Sequence, residues 1–224
     1  MANSLFKVII FDLDGTLVDS SGDIVHSINL TLDIFYLNHI ERRVCVNFIG
    51  SGIRTLAKRS FAWILYGNPD TEIDRKLLES ADREYRKIYA RHLLDTTVLY
   101  PNVQSTLEKL SDYSLAVVSN KAYVYTEIIL DHFHIKRYFD LILGGDSVIR
   151  KKPHPEPLLR VAKHFNSKPE QCLMVGDSEK DIAAAKSAEL PVAAVTYGMR
   201  PKVLLEKLKP DMIIDNFEDL LTII

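Results

Sequence analysis

Asp12 and Asp14 stand directly beyond the apolar run Leu5–Ile10, inside Phe11-Asp12-Leu13-Asp14-Gly15-Thr16-Leu17-Val18-Asp19-Ser20. The run is rich in β-branched and aromatic residues and too short to cross a membrane, so it predicts a buried strand. Carboxylates at the mouth of such a strand are costly unless a metal ion, a basic side chain or both neutralise them. Gly15 lets the chain turn sharply there, and Asp19 or Ser20 can cap a helix that starts just beyond. Other apolar runs also end in reactive groups. Leu115–Val118 delivers Ser119 and Asn120, and Cys172–Val175 delivers Gly176, Asp177, Ser178 and, a turn later, Asp181. Between them, the prolines of Arg150-Lys151-Lys152-Pro153-His154-Pro155 stiffen a loop that carries a cation.

Each residue alone has a plain structural reading, as a helix cap, a first-turn acid or a solvated lysine. Together they are the parts that phosphoryl transfer requires: an in-line nucleophile, a cation bridging the phosphoryl oxygens, donors for their charge and a proton source. A carboxylate can be the nucleophile, forming an aspartyl phosphate that water later breaks. Acidic oxygens with a backbone carbonyl and waters suit octahedral Mg²⁺.

Side chains so scattered meet only if their strands lie side by side. From Thr97 the pattern alternates, with strands at Thr97–Tyr100, Ser114–Val118, Leu141–Leu143, Gln171–Val175, Val192–Val195 and Met212–Ile214. Helices open between and after them near Pro101, Lys121, Pro155, Ser178, Lys202 and Phe217. This is the signature of a parallel sheet covered on both faces, where ligands collect at the carboxyl ends of the strands. Residues 20 to 95 read as helical throughout. Ile24, Ile28, Leu32 and Phe35 place a helix over 20–37, a short one covers 41–48, and Gly50-Ser51-Gly52 is a hinge before a third that closes at Gly67-Asn68-Pro69-Asp70. A long helix is predicted over 71–93. The expected fold class is α/β, with a parallel-sheet core from residues 1–18 and 97–224 and a helical insertion, 19–96, placed to act as a lid.

With 28 basic against 30 acidic residues, the net charge of -2 gives no global attraction for nucleic acid or an anionic membrane, so any affinity for phosphate is local. Cys45 and Cys172 are expected to be buried free thiols, which suits a reducing cytoplasm. The amino terminus carries no export pattern, because Lys7 interrupts its apolar stretch and aspartates follow.

The four polar segments, in this order, resemble the four motifs of the haloacid dehalogenase superfamily in its phosphatase version, over nearly the whole chain. The resemblance implies a Rossmann-like core with an α-helical cap domain. It implies Asp12 as nucleophile and Asp14 as general acid/base, with the Asp14 main-chain carbonyl also ligating metal. Ser119 would hydrogen-bond the phosphoryl group and Lys152 would neutralise the nucleophile and phosphoryl oxygens. Asp12, Asp14 and Asp177 would hold Mg²⁺, with Asp181 supporting the metal shell. Asn120 and Arg54 join Ser119 and Lys152 as candidate substrate contacts, Arg54 for a substrate carboxylate. Leu99-Tyr100-Pro101-Asn102-Val103, Val118-Ser119-Asn120-Lys121, Gly144-Gly145-Asp146 and Thr196-Tyr197-Gly198 are similar to the phosphoglycolate phosphatases of that superfamily, which implies 2-phosphoglycolate as substrate.

Ser119 stands where threonine is frequent and keeps the hydroxyl; Asn102 and Glu189 stand where glycine is usual, and the cap departs most. A dehalogenase would lack Asp14. A β-phosphoglucomutase-like phosphotransferase keeps both acids, and a non-catalytic binding protein on the same fold would lack a nucleophile or metal acid, none of which is missing. The expected partner is a small phosphorylated metabolite, with no nucleic acid and no membrane, for a monomer or homodimer. His154 lies close enough in sequence to Lys152 to line the site, whereas Tyr85, Tyr89 and Trp63 read as packing.

Overall fold

A computed structural model of the chain describes residues 5–224. The strands are β1 (Val8–Phe11), β2 (Val18–Asp19), β3 (Val98–Leu99), β4 (Ser114–Val118), β5 (Leu141–Leu143), β6 (Cys172–Gly176), β7 (Val192–Val195) and β8 (Met212–Ile214). Six of them form a parallel sheet in the order β5-β4-β1-β6-β7-β8, while β2 and β3 pair separately. The chain divides into two compact units, one made of the described part of Met1–Asp19 together with Leu99–Ile224, the other of Ser20–Val98.

The second unit is helical: α1 (Ser21–Ile34), α2 (Arg42–Cys45) running into a 3₁₀ turn at Val46–Phe48, α3 (Ile53–Tyr66) and α4 (Arg75–His92). Gly67, at φ +70°, ends α3 in the left-handed conformation that glycine adopts without a Cβ clash. The long helix starts four residues later than its periodicity suggests because Asp74 caps it, accepting from the Leu77 N–H at 2.9 Å. Tyr85 and Tyr89 are buried and stacked, as packing residues should be. Ser20 precedes α1 but makes no side-chain capping hydrogen bond, which corrects the expectation for the Asp19-Ser20 pair.

The first unit carries α5 (Val103–Leu107), α6 (Tyr123–His132), α7 (Glu156–His164), α8 (Glu179–Ser187), α9 (Lys202–Lys207) and α10 (Leu220–Ile223) around the sheet. Strands β1, β6 and β7 are buried along their whole length, which is why they read as unbroken apolar runs rather than alternating ones. Val8 and Ile10 join Ala116 and Met174 in one apolar layer with Leu158 of α7 and Ile182 of α8. On the other face Phe11 meets Phe139 and Phe217 at centroid distances of 6.1 and 5.6 Å. β1 begins at Val8 rather than Leu5, which is exposed. Nor does a helix open at Pro101: Asn102 sits at φ +63°, so helical geometry starts only at Val103.

Glu189 stands where the family resemblance implies glycine, and its φ is +59°. α8 ends there in a Schellman arrangement, the Leu190 N–H donating to Ala185 O at 2.9 Å and the Glu189 N–H to Lys186 O at 3.2 Å. The motif wants a left-handed residue, and a side chain there costs about 1 kcal/mol or more. Glu189→Gly is expected to raise stability by roughly 0.5–1 kcal/mol, less than the full relief because glycine also frees the unfolded chain. Chemical denaturation checks this; an unchanged or lower midpoint would show that the turn holds no such strain.

Candidate active site

Phe11 aligns with Val117 on one side and Val175 on the other, so β1, β4 and β6 finish at one level and release Asp12, Ser119 and Asp177 together. The Asp12 N–H extends the ladder by one bond, to Val175 O at 3.0 Å. The chain then folds back, with Gly15 at φ +88° and the Leu17 and Val18 N–H groups both donating to Leu13 O, at 2.9 and 3.1 Å. Glycine is needed here for space as well as for its dihedral. A Cβ at Gly15 would collide with the Asp177 carboxylate, and one at Gly198 with both Asp177 and the Gly15 carbonyl.

Lys152 occupies the centre. It is 4% exposed, donates to Val118 O at 2.6 Å, and pairs with Asp12 Oδ1 at 3.0 Å and Asp181 Oδ1 at 2.6 Å. Burial alone would lower the Lys152 pKa, but Asp12 and then Asp181 outweigh it and hold the group above its ordinary value. The loop is tied to β4 by Asn120, whose Nδ2 donates to Lys152 O at 2.8 Å. Asp181 also accepts from the Ser178 N–H and hydroxyl at 3.1 and 2.6 Å, so one carboxylate closes the start of α8 and meets Lys152.

Asp14 turns to a different lysine. Lys121 Nζ lies 3.1 Å from Asp14 Oδ1, with both side chains largely enclosed. The Lys121 N–H also donates to Ser119 Oγ at 3.2 Å, fixing the hydroxyl at the end of β4. Sequence reasoning gave Lys121 no role; a lysine wedged between a strand-end Ser-Asn pair and an apolar helix was the available signal.

Ligand oxygens of Asp12, Asp177 and Asp181 all lie within 4.8 Å of one another. The crowding shows in their acidity. Burial, then the charge of Asp181, raises the Asp12 pKa from 3.8 to about 7 despite the opposing pull of Lys152. Burial, Asp181 and Asp12 push Asp177 well above the carboxylate range, although its Oδ2 accepts from the Met199 N–H at 2.7 Å. Lys152 thus pairs with Asp12 and Asp181 and Lys121 with Asp14, while Asp177 lies beside Asp12 and Asp181. Arg200, which also offsets Asp177, is itself bonded to Glu179 at 3.0 Å. Clustered hard oxygen donors, walled by Gly15 and Gly198, fit a small divalent cation such as Mg²⁺.

The structure therefore brings Asp12, Lys152, Asp177 and Asp181 together, with Asp14 and Ser119 joined through Lys121. Arg54 is exposed in the first turn of α3, in the helical unit. His154 serves the backbone, its Nδ1 accepting from the Glu156 N–H at 3.0 Å where α7 begins. Cys45 and Cys172 are buried and unbridged, and burial pushes their thiols up to about 12 and about 11. Among the described residues no helix is long and apolar enough to cross a membrane.

Comparison with known proteins agrees with this geometry. Residues 9–195 match the family model for haloacid dehalogenase-like hydrolases. A phosphoglycolate phosphatase of Pasteurella multocida (strain Pm70) is 39% identical over 98% of this chain and 98% of its own. Another, from Salmonella typhimurium, is 38% identical over 94% of this chain and 89% of its own. The crystal structure of a predicted phosphoglycolate phosphatase from Haemophilus somnus 129PT superposes with a TM-score of 0.93 at 38% identity, covering 99% of each chain. Sheet order, strand-end acids and full-length similarity converge, and the chain belongs to the haloacid dehalogenase-like hydrolases.

Proposed function

We propose that this protein is a Mg²⁺-dependent phosphomonoester hydrolase that works through an aspartyl phosphate on a small phosphorylated metabolite, 2-phosphoglycolate. The observation that carries the reading is the buried Lys152 held between Asp12 and Asp181, with the Asp177 carboxylate clustered beside them. The names of the full-length relatives support the choice of substrate.

In this mechanism Asp12 attacks phosphorus in line and forms the acyl phosphate. The carboxylate is held against rotation, since its Oδ1 accepts from the Leu13 N–H at 2.7 Å and meets Lys152. Lys152 offsets the charge of the nucleophile and of the phosphoryl oxygens, and Ser119 Oγ donates to one of those oxygens. Asp14, steadied by Lys121, gives a proton to the leaving oxygen and then takes one from the water that cleaves the intermediate. Asp12, Asp177 and the Asp14 main-chain carbonyl would hold Mg²⁺, with Asp181 behind them; the ion supplies positive charge to the phosphoryl oxygens as the transition state forms. Arg54 is the candidate partner for the carboxylate of the substrate.

Inorganic phosphate release from a panel of phosphorylated metabolites tests the reading. With Mg²⁺ present, 2-phosphoglycolate is expected to outrank nucleotides and phosphoproteins, and Asp12→Asn to cost about a thousandfold or more in turnover. Activity undiminished in that variant, or isomerisation of a sugar phosphate without phosphate release, would contradict it.

Metal binding is open to a separate check. Without a cation, Asp12 holds its proton more tightly folded than unfolded, so stability falls as the pH rises from its ordinary value of 3.8 to about 7. A divalent ion favours the ionised form and must displace that proton at lower pH. Added Mg²⁺ is expected to raise the melting temperature more above pH 7 than below it, with the shift lost in Asp177→Asn. An equal shift in that variant would place the ion elsewhere.

A further inference from the structure

Among the described residues, one further group of metal-ligating side chains converges outside the strand-end acids. His26 of α1, His92 at the end of α4 and Asp95 just beyond it each offer a ligand atom, all within 4.8 Å of one another. The two imidazole rings meet edge to face, centroids 5.1 Å apart at 83°, and His92 Nδ1 lies 2.7 Å from Asp95 Oδ2. His26 and Asp95 are exposed and His92 is half-buried, so the group is open to solvent.

The backbone beneath it is fixed. α1 and α4 pack against each other. Asp23, buried one turn before His26, accepts from the N–H groups of Thr96 and Thr97 at 2.8 and 2.9 Å and from their hydroxyls at 2.5 and 2.6 Å. Gly22 allows the approach, since a Cβ there would stand 2.5 Å from Thr96 Oγ1. These four bonds tie the residues after Asp95 to the turn before His26. The carboxylate and the imidazoles therefore sit on backbone that cannot drift apart, which is what a preorganised site requires.

We propose that His26, His92 and Asp95 form a binding site for a divalent transition-metal ion of the zinc type, separate from the acid cluster and independent of the proposed hydrolase reaction. Two imidazoles and one carboxylate suit Zn²⁺ or its neighbours, whereas Mg²⁺ and Ca²⁺ take oxygen shells. Tetrahedral ligand atoms at zinc bond lengths stand roughly 3.3 Å apart. The 2.7 Å between His92 Nδ1 and Asp95 Oδ2 and the 4.8 Å limit on the three ligand atoms bracket that distance. Water fills the fourth position, and the ion braces α1 to the end of α4.

Calorimetric titration of the full chain with ZnCl₂ in excess Mg²⁺ tests the site. One equivalent is expected to bind saturably, roughly tenfold or more weakly in each of His26→Ala and His92→Ala. Binding should be unchanged in Asp177→Asn and in His132→Ala, which removes an exposed histidine elsewhere. A Co²⁺-loaded sample should show the visible absorption of a tetrahedral shell, absent in the same two histidine variants. Circular dichroism confirms that these surface variants are folded. Absence of saturable zinc binding overturns the proposal, as does parental affinity in both histidine variants with loss in Asp177→Asn.

Discussion

A buried ammonium shared by two buried carboxylates is the constraint on which the rest of this structure depends. Lys152 lies in ion-pair distance of both Asp12 and Asp181 and also donates to Val118 O. Ions so far from water are tolerated only with close pairing and complete hydrogen bonding. Those partners come from β1, the end of β4 and the start of α8, so the strands must end at one height. The parallel register meets that demand, with β1 flanked by β4 and β6. Asn120 is part of the same arrangement, since its amide fixes the loop that delivers the lysine.

The cluster is deliberately out of balance. Burial, and then the neighbouring charge of Asp181, makes the carboxyls of Asp12 and Asp177 resist ionisation. Such a site opposes folding of the bare chain and favours whatever cation and phosphoryl group complete it. Backbone economy makes the crowding possible: Gly15 and Gly198 let main chain approach Asp177 where any side chain would collide. A fold is thereby matched to chemistry that needs charge held close without water between.

Much of this was legible in the chain. β4 and β7 run where their apolar stretches place them, because strands buried on both faces need continuous apolar sequence, and the edge strand β8 matches its stretch as well. The strand-end acids were equally plain, being too costly there to be ornamental. Local conformation was harder to read. Pro101 suggests a helix start, yet Asn102 adopts a left-handed dihedral and delays it. Lys121 was invisible as a partner of Asp14 because an ion pair between residues in the loops beyond two different strands leaves no periodic trace. The same limit hid His26 and His92, which are distant in sequence and meet only because α1 and α4 pack together. Asp23 looks like an ordinary first-turn acid, and only its four bonds to Thr96 and Thr97 disclose its task.

The role of Lys152 can be measured without reference to substrate. Replacing it by methionine keeps most of the side-chain volume and removes the charge, leaving Asp12 and Asp181 facing each other without their shared counterion. Breaking a buried ion pair from one side costs about 3–5 kcal/mol. Equilibrium denaturation of Lys152→Met at neutral pH, in the absence of divalent ions, should show a loss of that order. A variant as stable as the parent, or more so, would contradict the claim that this ammonium organises the strand ends.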